Sequence, residues 1–244
     1  MVTAFLAIVV KLCIFFTFSR LLFGPLFEGA SLWRPALLVC SGVSILLGCL
    51  GALFQKRVKR LLAYSSINNV GYAIAGLSIG NVGGLQASVT YMFFYSVTLM
   101  LLFALFLGSP QTRPITYVTD LKRLRLTPYL AVLTALCLFS LAGIPPLSGF
   151  WIKFFVLSEL VNAKLYVLAA IGAFGSIISS FYYVSLIKIL YFESVDSSVE
   201  PLVVGPPTAY LMLLATGLFA YPLFPALVYK LSGIFAISFL TEFF

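Results

Sequence analysis

The sequence predicts an all-α integral membrane protein of about seven transmembrane helices, one of them discontinuous. Three observations predict it: an extreme apolar composition, apolar runs of membrane-spanning length, and a glycine- and proline-rich interruption inside the longest run. Hydrophobic residues make up 62% of the 244 and charged residues 9%, against roughly 45–50% and roughly 25% in soluble domains. A water-soluble fold could not bury that much apolar surface. One crossing of the roughly 30 Å hydrocarbon core takes about 20 apolar residues, so about six to eight spans fit this length. The chain, 1–244, reads as a single transmembrane domain with no soluble one.

With glycine, proline and charge as punctuation, the spans fall near 3–23, 33–54, 61–80, 86–108, 128–160, 164–192 and 207–231. The first opens as MVTAFLAIVVKLCIFF, with no basic leader region and no small-residue cleavage site, and reads as a mature helix rather than a signal peptide. The second and third flank the basic run QKRVKR at 55–60, and the fourth ends at the loop 109–127. Backbone polar groups in lipid must be satisfied within the segment, so these runs are expected to be helical. The fifth run is too long for a simple crossing and carries LAGIPPLSG in its middle. Pro145 and Pro146 remove two amide donors between Gly143 and Gly149, which predicts a break at 143–149 between halves at 128–142 and 149–160.

Basic residues outnumber acidic ones 15 to 7. In a membrane chain this reflects loops facing the inner compartment rather than nucleic-acid binding. With alternating crossings, Lys56, Arg57, Lys59, Arg60, Arg113, Lys122, Arg123, Arg125 and Lys188 share one side, nine in all, against Arg20, Arg34, Lys164 and Lys230 on the other. That asymmetry puts the first side in the matrix or cytoplasm. Cys13, Cys40, Cys49 and Cys137 lie in apolar stretches without metal-type pairing and are expected as buried small hydrophobes. Histidine is absent, which excludes a histidine haem ligand, a histidine zinc triad or a histidine proton relay.

Two basic residues belong to no loop: Lys11 in AIVVKLCIFF and Lys153 in SGFWIKFFVL. An ionisable residue at a helix centre costs at least about 2.5–3.5 kcal/mol and therefore faces a polar cavity or a partner. The bland alternative is snorkelling, the ammonium reaching the interface, and it weighs more for Lys11 near the start of its run. Lys153 lies four residues beyond Gly149, where irregular backbone is tolerated only inside protein or beside a water-filled cavity. A lysine so placed can gain and lose a proton, as a translocation step requires. Ser65, Ser66, Asn68 and Asn69, with Ser176, Ser179, Ser180, Tyr182 and Tyr183, are less specific: they suit helix–helix hydrogen bonding as well as a water-lined path. Glu159 follows Lys153 by six residues and is off its helical face, so a direct pair is not expected.

QKRVKRLLAYSSINNVGY followed by LCLFSLAGIPPLSGFWIKFFVL resembles the antiporter-like subunits of respiratory complex I. The family pattern maps onto Lys59 to Ile67, Ser140 to Pro145, Gly149 with Phe150, Lys153 with Phe154, and Tyr182 to Lys188. The first two motifs are common to all such subunits. The lysine–phenylalanine pair and the absence of histidine point to the branch of NADH dehydrogenase (ubiquinone) subunit 2. The resemblance implies a fold of two inverted five-helix repeats, with 1–24 as the last helix of a first repeat, 33–192 as the second repeat and 207–231 as a closing helix. It aligns Lys11 with the central lysine of its helix.

What the resemblance further implies is membership of a proton-translocating NADH:ubiquinone oxidoreductase, in which Lys11 and Lys153 pass protons. Lys59, Ser65, Ser66, Pro145, Pro146 and Gly149 are the supporting positions. The implied location is the mitochondrial inner membrane, or alternatively a bacterial plasma or thylakoid membrane. The implied partners are other membrane-arm subunits and lipids, not nucleic acid. No metal or cofactor is expected on this chain, which lacks iron–sulfur cysteine spacing and a nucleotide fingerprint; NADH, FMN, iron–sulfur clusters and ubiquinone would belong to other subunits. The glutamate and lysine that the family carries in earlier helices have no counterpart here. Either a separately encoded fragment supplies about seven N-terminal helices, which retention of Lys11 and Lys153 favours, or the subunit is shortened with weakened pumping. Two rival readings stay open: a subunit of a multi-subunit cation/proton antiporter, and a non-pumping structural element of the complex.

Overall fold

The computed structural model describes residues 5–108, 116–193, 229–230 and 232–234. Regular structure among them is helical. A π-helical turn, Leu6–Val10, runs into α1 (Lys11–Phe23). Then come α2 (Ala30–Leu53), α3 (Val58–Ser78), α4 (Val82–Gly108), a 3-10 segment (Val118–Leu126), α5 (Pro128–Ala142), α6 (Ser148–Asn162) and α7 (Tyr166–Phe192). Among the described residues, four helical stretches are long and apolar enough to cross a membrane: Leu6–Phe23, Ala30–Leu53, Val82–Phe106 and Tyr166–Phe192. The predicted closing helix at 207–231 lies outside the described residues apart from Tyr229 and Lys230, as does Arg113 of the basic loop.

Observed helices outrun the predicted spans at several ends, and α3 shows why. It starts at Val58, three residues before the predicted 61, because Lys59 and Arg60 interrupt hydrophobicity but not the backbone ladder. Both are exposed on the first turn, and long basic side chains can keep their charge in water while the helix continues beneath them. The break in the fifth span falls where the glycines and prolines predict it, with α5 ending at Ala142 and α6 beginning at Ser148. Each half has 15 residues, roughly 22 Å of helix, short of the roughly 30 Å core.

Small residues set the helix spacing. A Cβ on Gly48 would come within 2.4 Å of the Asn68 backbone nitrogen, and one on Gly71 within 2.8 Å of Ile45. Such contacts let α2 and α3 pack backbone to backbone, the usual device where lipid removes any hydrophobic drive between helices. The core lies among α3, α4, α5 and α7, with Tyr72, Tyr91, Leu102 and Tyr183 fully buried. Tyr229 stacks on Phe155 at 4.5 Å and its hydroxyl donates to Glu159 Oε1 at 3.3 Å, which docks this short stretch against α6. Thr90 donates to Ser232 Oγ at 2.8 Å, tying it to α4 as well.

The cysteine expectation needs correction. Cys49 and Cys137 are buried, but Cys13 and Cys40 are exposed on the helix surface. Lipid is as apolar as a protein interior, so a small hydrophobe in a membrane helix carries no preference for the inward face.

At the end of the bundle that carries QKRVKR, backbone bridging joins two loops. Val58 N donates to Thr116 O at 3.1 Å and Val118 N to Lys56 O at 3.0 Å, pairing Arg57 with Tyr117. Asp120 anchors the 3-10 segment: its Oδ2 accepts from the backbone amides of Tyr117 at 2.8 Å and Thr116 at 3.1 Å, and Arg123 stands 3.6 Å from its Oδ1. Burial would raise the Asp120 pKa, but the two amides and Arg123 outweigh it and hold the carboxyl below its ordinary value. At the opposite end Arg34 Nη2 donates to Gly80 O at 3.0 Å, closing the end of α3.

Candidate functional site

Gly143 ends α5 in the left-handed region at φ 81°, its amide donating to Phe139 O at 3.1 Å and Ser140 O at 3.0 Å. This is the usual glycine helix terminus, since a side chain there would strain the backbone. The chain turns through a cis Pro145–Pro146 bond and re-enters helix at Ser148. Gly149 then passes so close to the end of α5 that a Cβ on it would lie 1.6 Å from Ser140 O. Only glycine fits. Ser140 Oγ and Ser148 Oγ, 3.0 Å apart, bond across the gap.

Lys153 lies one turn beyond Gly149, on the face of α6 that buries Gly149, Ile152, Val156 and Leu160. Helical side chains lean toward the N-terminus of their helix. The lysine therefore points back at the break rather than outward along α6. Its Nζ donates to Ala142 O at 3.1 Å, Leu141 O at 3.2 Å and Ser179 Oγ of α7 at 3.2 Å, using all three ammonium donors. The first two acceptors are carbonyls that the broken α5 leaves without helical partners, at the negative end of its dipole. The Tyr72 ring of α3 faces the same ammonium at 5.7 Å from the ring centroid, a cation–π contact. At 5% exposure, Lys153 is not snorkelling.

Around this lysine the structure gathers a polar layer from three helices. Tyr72 stacks on Tyr91 at 5.7 Å and Tyr91 on Tyr95 at 6.4 Å. Tyr91 Oη donates to Asn69 Oδ1 at 2.6 Å, and Asn69 Nδ2 to Ser65 O at 2.8 Å. A cavity of about 10 Å³ touches Lys153, Ser140, Asn69, Tyr91, Tyr95 and Thr98, about the space one water needs. Beyond it, Tyr95 faces Asn69 and Ser66, Tyr183 faces Ser65, and Tyr182 faces Asn68. The hydroxyls of Tyr95, Tyr182 and Tyr183 and both amide atoms of Asn68 are nevertheless buried without a direct hydrogen-bond partner. Buried polar groups of this kind are normally satisfied by ordered water.

The expected site residues separate into three groups. Lys153, Ser65, Ser66 and Gly149 meet at the break or in the polar layer, with Ser65 and Ser66 bonded back to Leu62 O and Ala63 O of their own helix. Pro145 and Pro146 are exposed at the turn, and Lys59 is exposed on the first turn of α3. Lys11 is half-buried on α1, directly after the π-helical turn, and is not part of the Lys153 cluster. Sequence reasoning missed Tyr72, Tyr91, Tyr95 and Thr98. The available signal was Tyr91 and Tyr95, four apart in the same helix and so on one face.

Comparison with known proteins shows the family of the chain. A family model described as "NADH:quinone oxidoreductase/Mrp antiporter, TM" matches residues 1–179. NADH-quinone oxidoreductase subunit N of Rhodospirillum rubrum is 38% identical over 203 residues, 82% of this chain and 41% of that protein. NADH-ubiquinone oxidoreductase chain 2 of Marchantia polymorpha is 40% identical over 194 residues, 79% of this chain and 39% of that one. The chain thus spans about two-fifths of the length of these curated relatives. Among solved structures, a chain of respiratory complex I from Thermus thermophilus with bound aureothin superposes with a TM-score of 0.70 at 32% identity, covering 80% of this chain and 45% of that one. A chain of the archaeal membrane-bound sulfane sulfur reductase shares the fold, with a TM-score of 0.82 at 24% identity over 93% of this chain and 46% of that one. A buried lysine on a broken membrane helix thus stands within a matched family, and this chain belongs to the NADH:quinone oxidoreductase/Mrp antiporter transmembrane family.

Proposed function

We propose that the chain is a membrane-arm subunit of a proton-translocating NADH:quinone oxidoreductase, and that Lys153 carries the proton. The observation that supports this reading above others is the Lys153 ammonium, 5% exposed and seated on two terminal carbonyls of a broken helix, of which Ala142 O also accepts from Ser180 Oγ. Those carbonyls stabilise the charged form without a counter-ion among the described residues. A proton can then leave when a second positive charge approaches, because no ion pair has to be broken. Two unit charges about 10 Å apart at an effective dielectric of about 20 repel by roughly 1.7 kcal/mol. That biases a proton but does not alone drive it against a gradient, so the driving charge must arise elsewhere in an assembly. Redox chemistry belongs, on this reading, to other subunits, and this chain supplies proton transfer alone.

Seven crossings, with 207–231 closing the bundle, complete the proposed topology, and 33–192 forms one antiporter-like repeat. Lys11 is the second proton-carrying position. A separately encoded fragment of about seven helices is the proposed partner of α1, together with neighbouring membrane-arm subunits, in an inner mitochondrial or bacterial membrane. Mass spectrometry of the purified complex is expected to find that peptide, bearing an intramembrane glutamate and lysine.

The decisive test is Lys153→Met in an assembled complex. Proton-to-electron stoichiometry is expected to fall; an unchanged value removes the pumping role and leaves the chain a structural element. The family description also covers Mrp antiporters, which supports a second reading as a cation/proton antiporter subunit. Sodium-dependent proton exchange in membranes that do not oxidise NADH would favour it.

A further inference from the structure

A second cavity opens at the basic end of the bundle. It is a cleft of about 540 Å³ between the end of α2, the start of α3, the 3-10 segment and the last turns of α7. The volume is that of a small-molecule site rather than a packing defect. Its two ends differ in chemistry. The mouth carries Gln55, Lys56, Tyr117 and Thr119. The wall that runs down α7 carries Phe181, Leu186 and Ile189, with Leu53 of α2 opposite. From Ile189 to Phe181 the wall descends roughly 12 Å along the helix axis. Phe181 is 71% exposed, so the cleft opens sideways onto the apolar surface of the bundle.

Among the residues that line the cleft, the charged one is Lys56, at the mouth. Arg57 holds its guanidinium 6.0 Å from the Tyr117 ring centroid, at the rim. Lys188, exposed, lies one turn beyond Ser185 on the same face of α7, and Ser185 lines the cleft. The nearby carboxylate, Asp120, is already engaged by two backbone amides and Arg123, and so does not neutralise these cations. A polar, cationic mouth at the interface above an apolar trough open to the bilayer matches a molecule with an anionic head and a hydrocarbon tail. Basic pockets between membrane helices on the inner face recognise anionic lipid headgroups by this combination.

We propose that this cleft is a binding site for an anionic diacyl phospholipid of the inner leaflet. The phosphate sits among Lys56, Lys188 and Tyr117, and one acyl chain lies along Phe181, Leu186 and Ile189. The occupant bridges α2 and α7 at the end where the 3-10 segment crosses them. It thereby fixes the basic face of the bundle.

The test uses membranes containing the full chain and two photoactivatable probes that differ only in headgroup, phosphatidylglycerol and phosphatidylcholine, with cross-linked peptides mapped by mass spectrometry. Phosphatidylglycerol is expected to label the 181–189 segment in preference to phosphatidylcholine. Labelling should fall about fivefold for each charge removed in Lys56→Gln and Lys188→Gln, and millimolar inorganic phosphate should not compete. Ser185→Trp, which fills the trough and keeps every charge, should abolish labelling. Equal labelling by the two headgroups, meaning annular lipid only, overturns the proposal. So do full labelling of the glutamine variants, competition by free phosphate, or full labelling of Ser185→Trp. Should the glutamine variants fail to accumulate, the headgroup comparison on the unaltered chain and the tryptophan variant still decide.

Discussion

Lys153 and Lys11 are the same residue type in comparably apolar runs, yet their surroundings differ sharply. Lys153 is buried, with three acceptors at 3.1–3.2 Å and a tyrosine face, because a helix break presents carbonyls without helical amide partners beside it. Lys11 is half-buried on a helix whose backbone carbonyls are consumed by its own turns, and among the described residues no side-chain bond or ion pair holds it. A membrane lysine is thus stabilised by broken backbone rather than by apolar burial. Directly before α1 and Lys11, the π-helical turn Leu6–Val10 departs from regular α-helix, and such turns tend to mark functional positions.

The largest expected effect tests the break itself. Gly149→Val places a side chain where 1.6 Å separates even a Cβ from Ser140 O, so the two half-helices must separate at a cost of roughly 3 kcal/mol. Loss of the assembled complex on native gels is the expected outcome; normal accumulation would mean that the close approach is not needed. Next comes the direct comparison of the lysines. Lys153→Met is expected to reduce proton-to-electron stoichiometry more than Lys11→Met in the same complex. The reverse order would show that the seated lysine is structural and the loosely held one is the carrier.

A smaller effect isolates one of the three acceptors. Ser179→Ala leaves both α5 carbonyls in place and removes a hydrogen bond worth roughly 0.6 kcal/mol by membrane-protein averages. Proton transfer should slow by a few-fold without loss of assembly, as read by proton pumping in reconstituted vesicles; a loss as complete as that of Lys153→Met would mean that Ser179 is itself in the path. The smallest effect is a control outside both regions. The Asp120 carboxyl titrates below its ordinary value in the folded chain. The stability it contributes is therefore fully present above about pH 4 and is lost as pH falls through the lowered folded value. Hydrogen exchange of the 116–126 amides should quicken over that acid window, and Asp120→Asn should remove the dependence without altering proton stoichiometry.

Much of this was legible in the residues. The glycine and proline run at 143–149 located the break because those residues act locally: each changes the backbone that its own position can adopt. Lys153 was legible for the same reason, being a charge next to that break. The tyrosine layer was not. Tyr72, Tyr91 and Tyr95 look like ordinary aromatic residues of apolar helices, and only the packing of α3 against α4 stacks them beside the lysine. The cysteines erred in the other direction, since hydrophobicity separates inside from outside only where the outside is water.

The sequence by itself determined that this chain is helical and membrane-embedded, where one helix breaks, and which two lysines lie within the apolar runs. Composition, hydrogen-bond satisfaction in lipid and the stereochemistry of proline and glycine are all properties of short segments. Tertiary structure alone decided what each lysine meets. The acceptors of Lys153 are 11, 12 and 26 residues away in the chain, and the basic cleft draws on four separate elements. Such encounters depend on how helices rotate and approach, which the small residues at Gly48, Gly71 and Gly149 permit and the assembled bundle fixes.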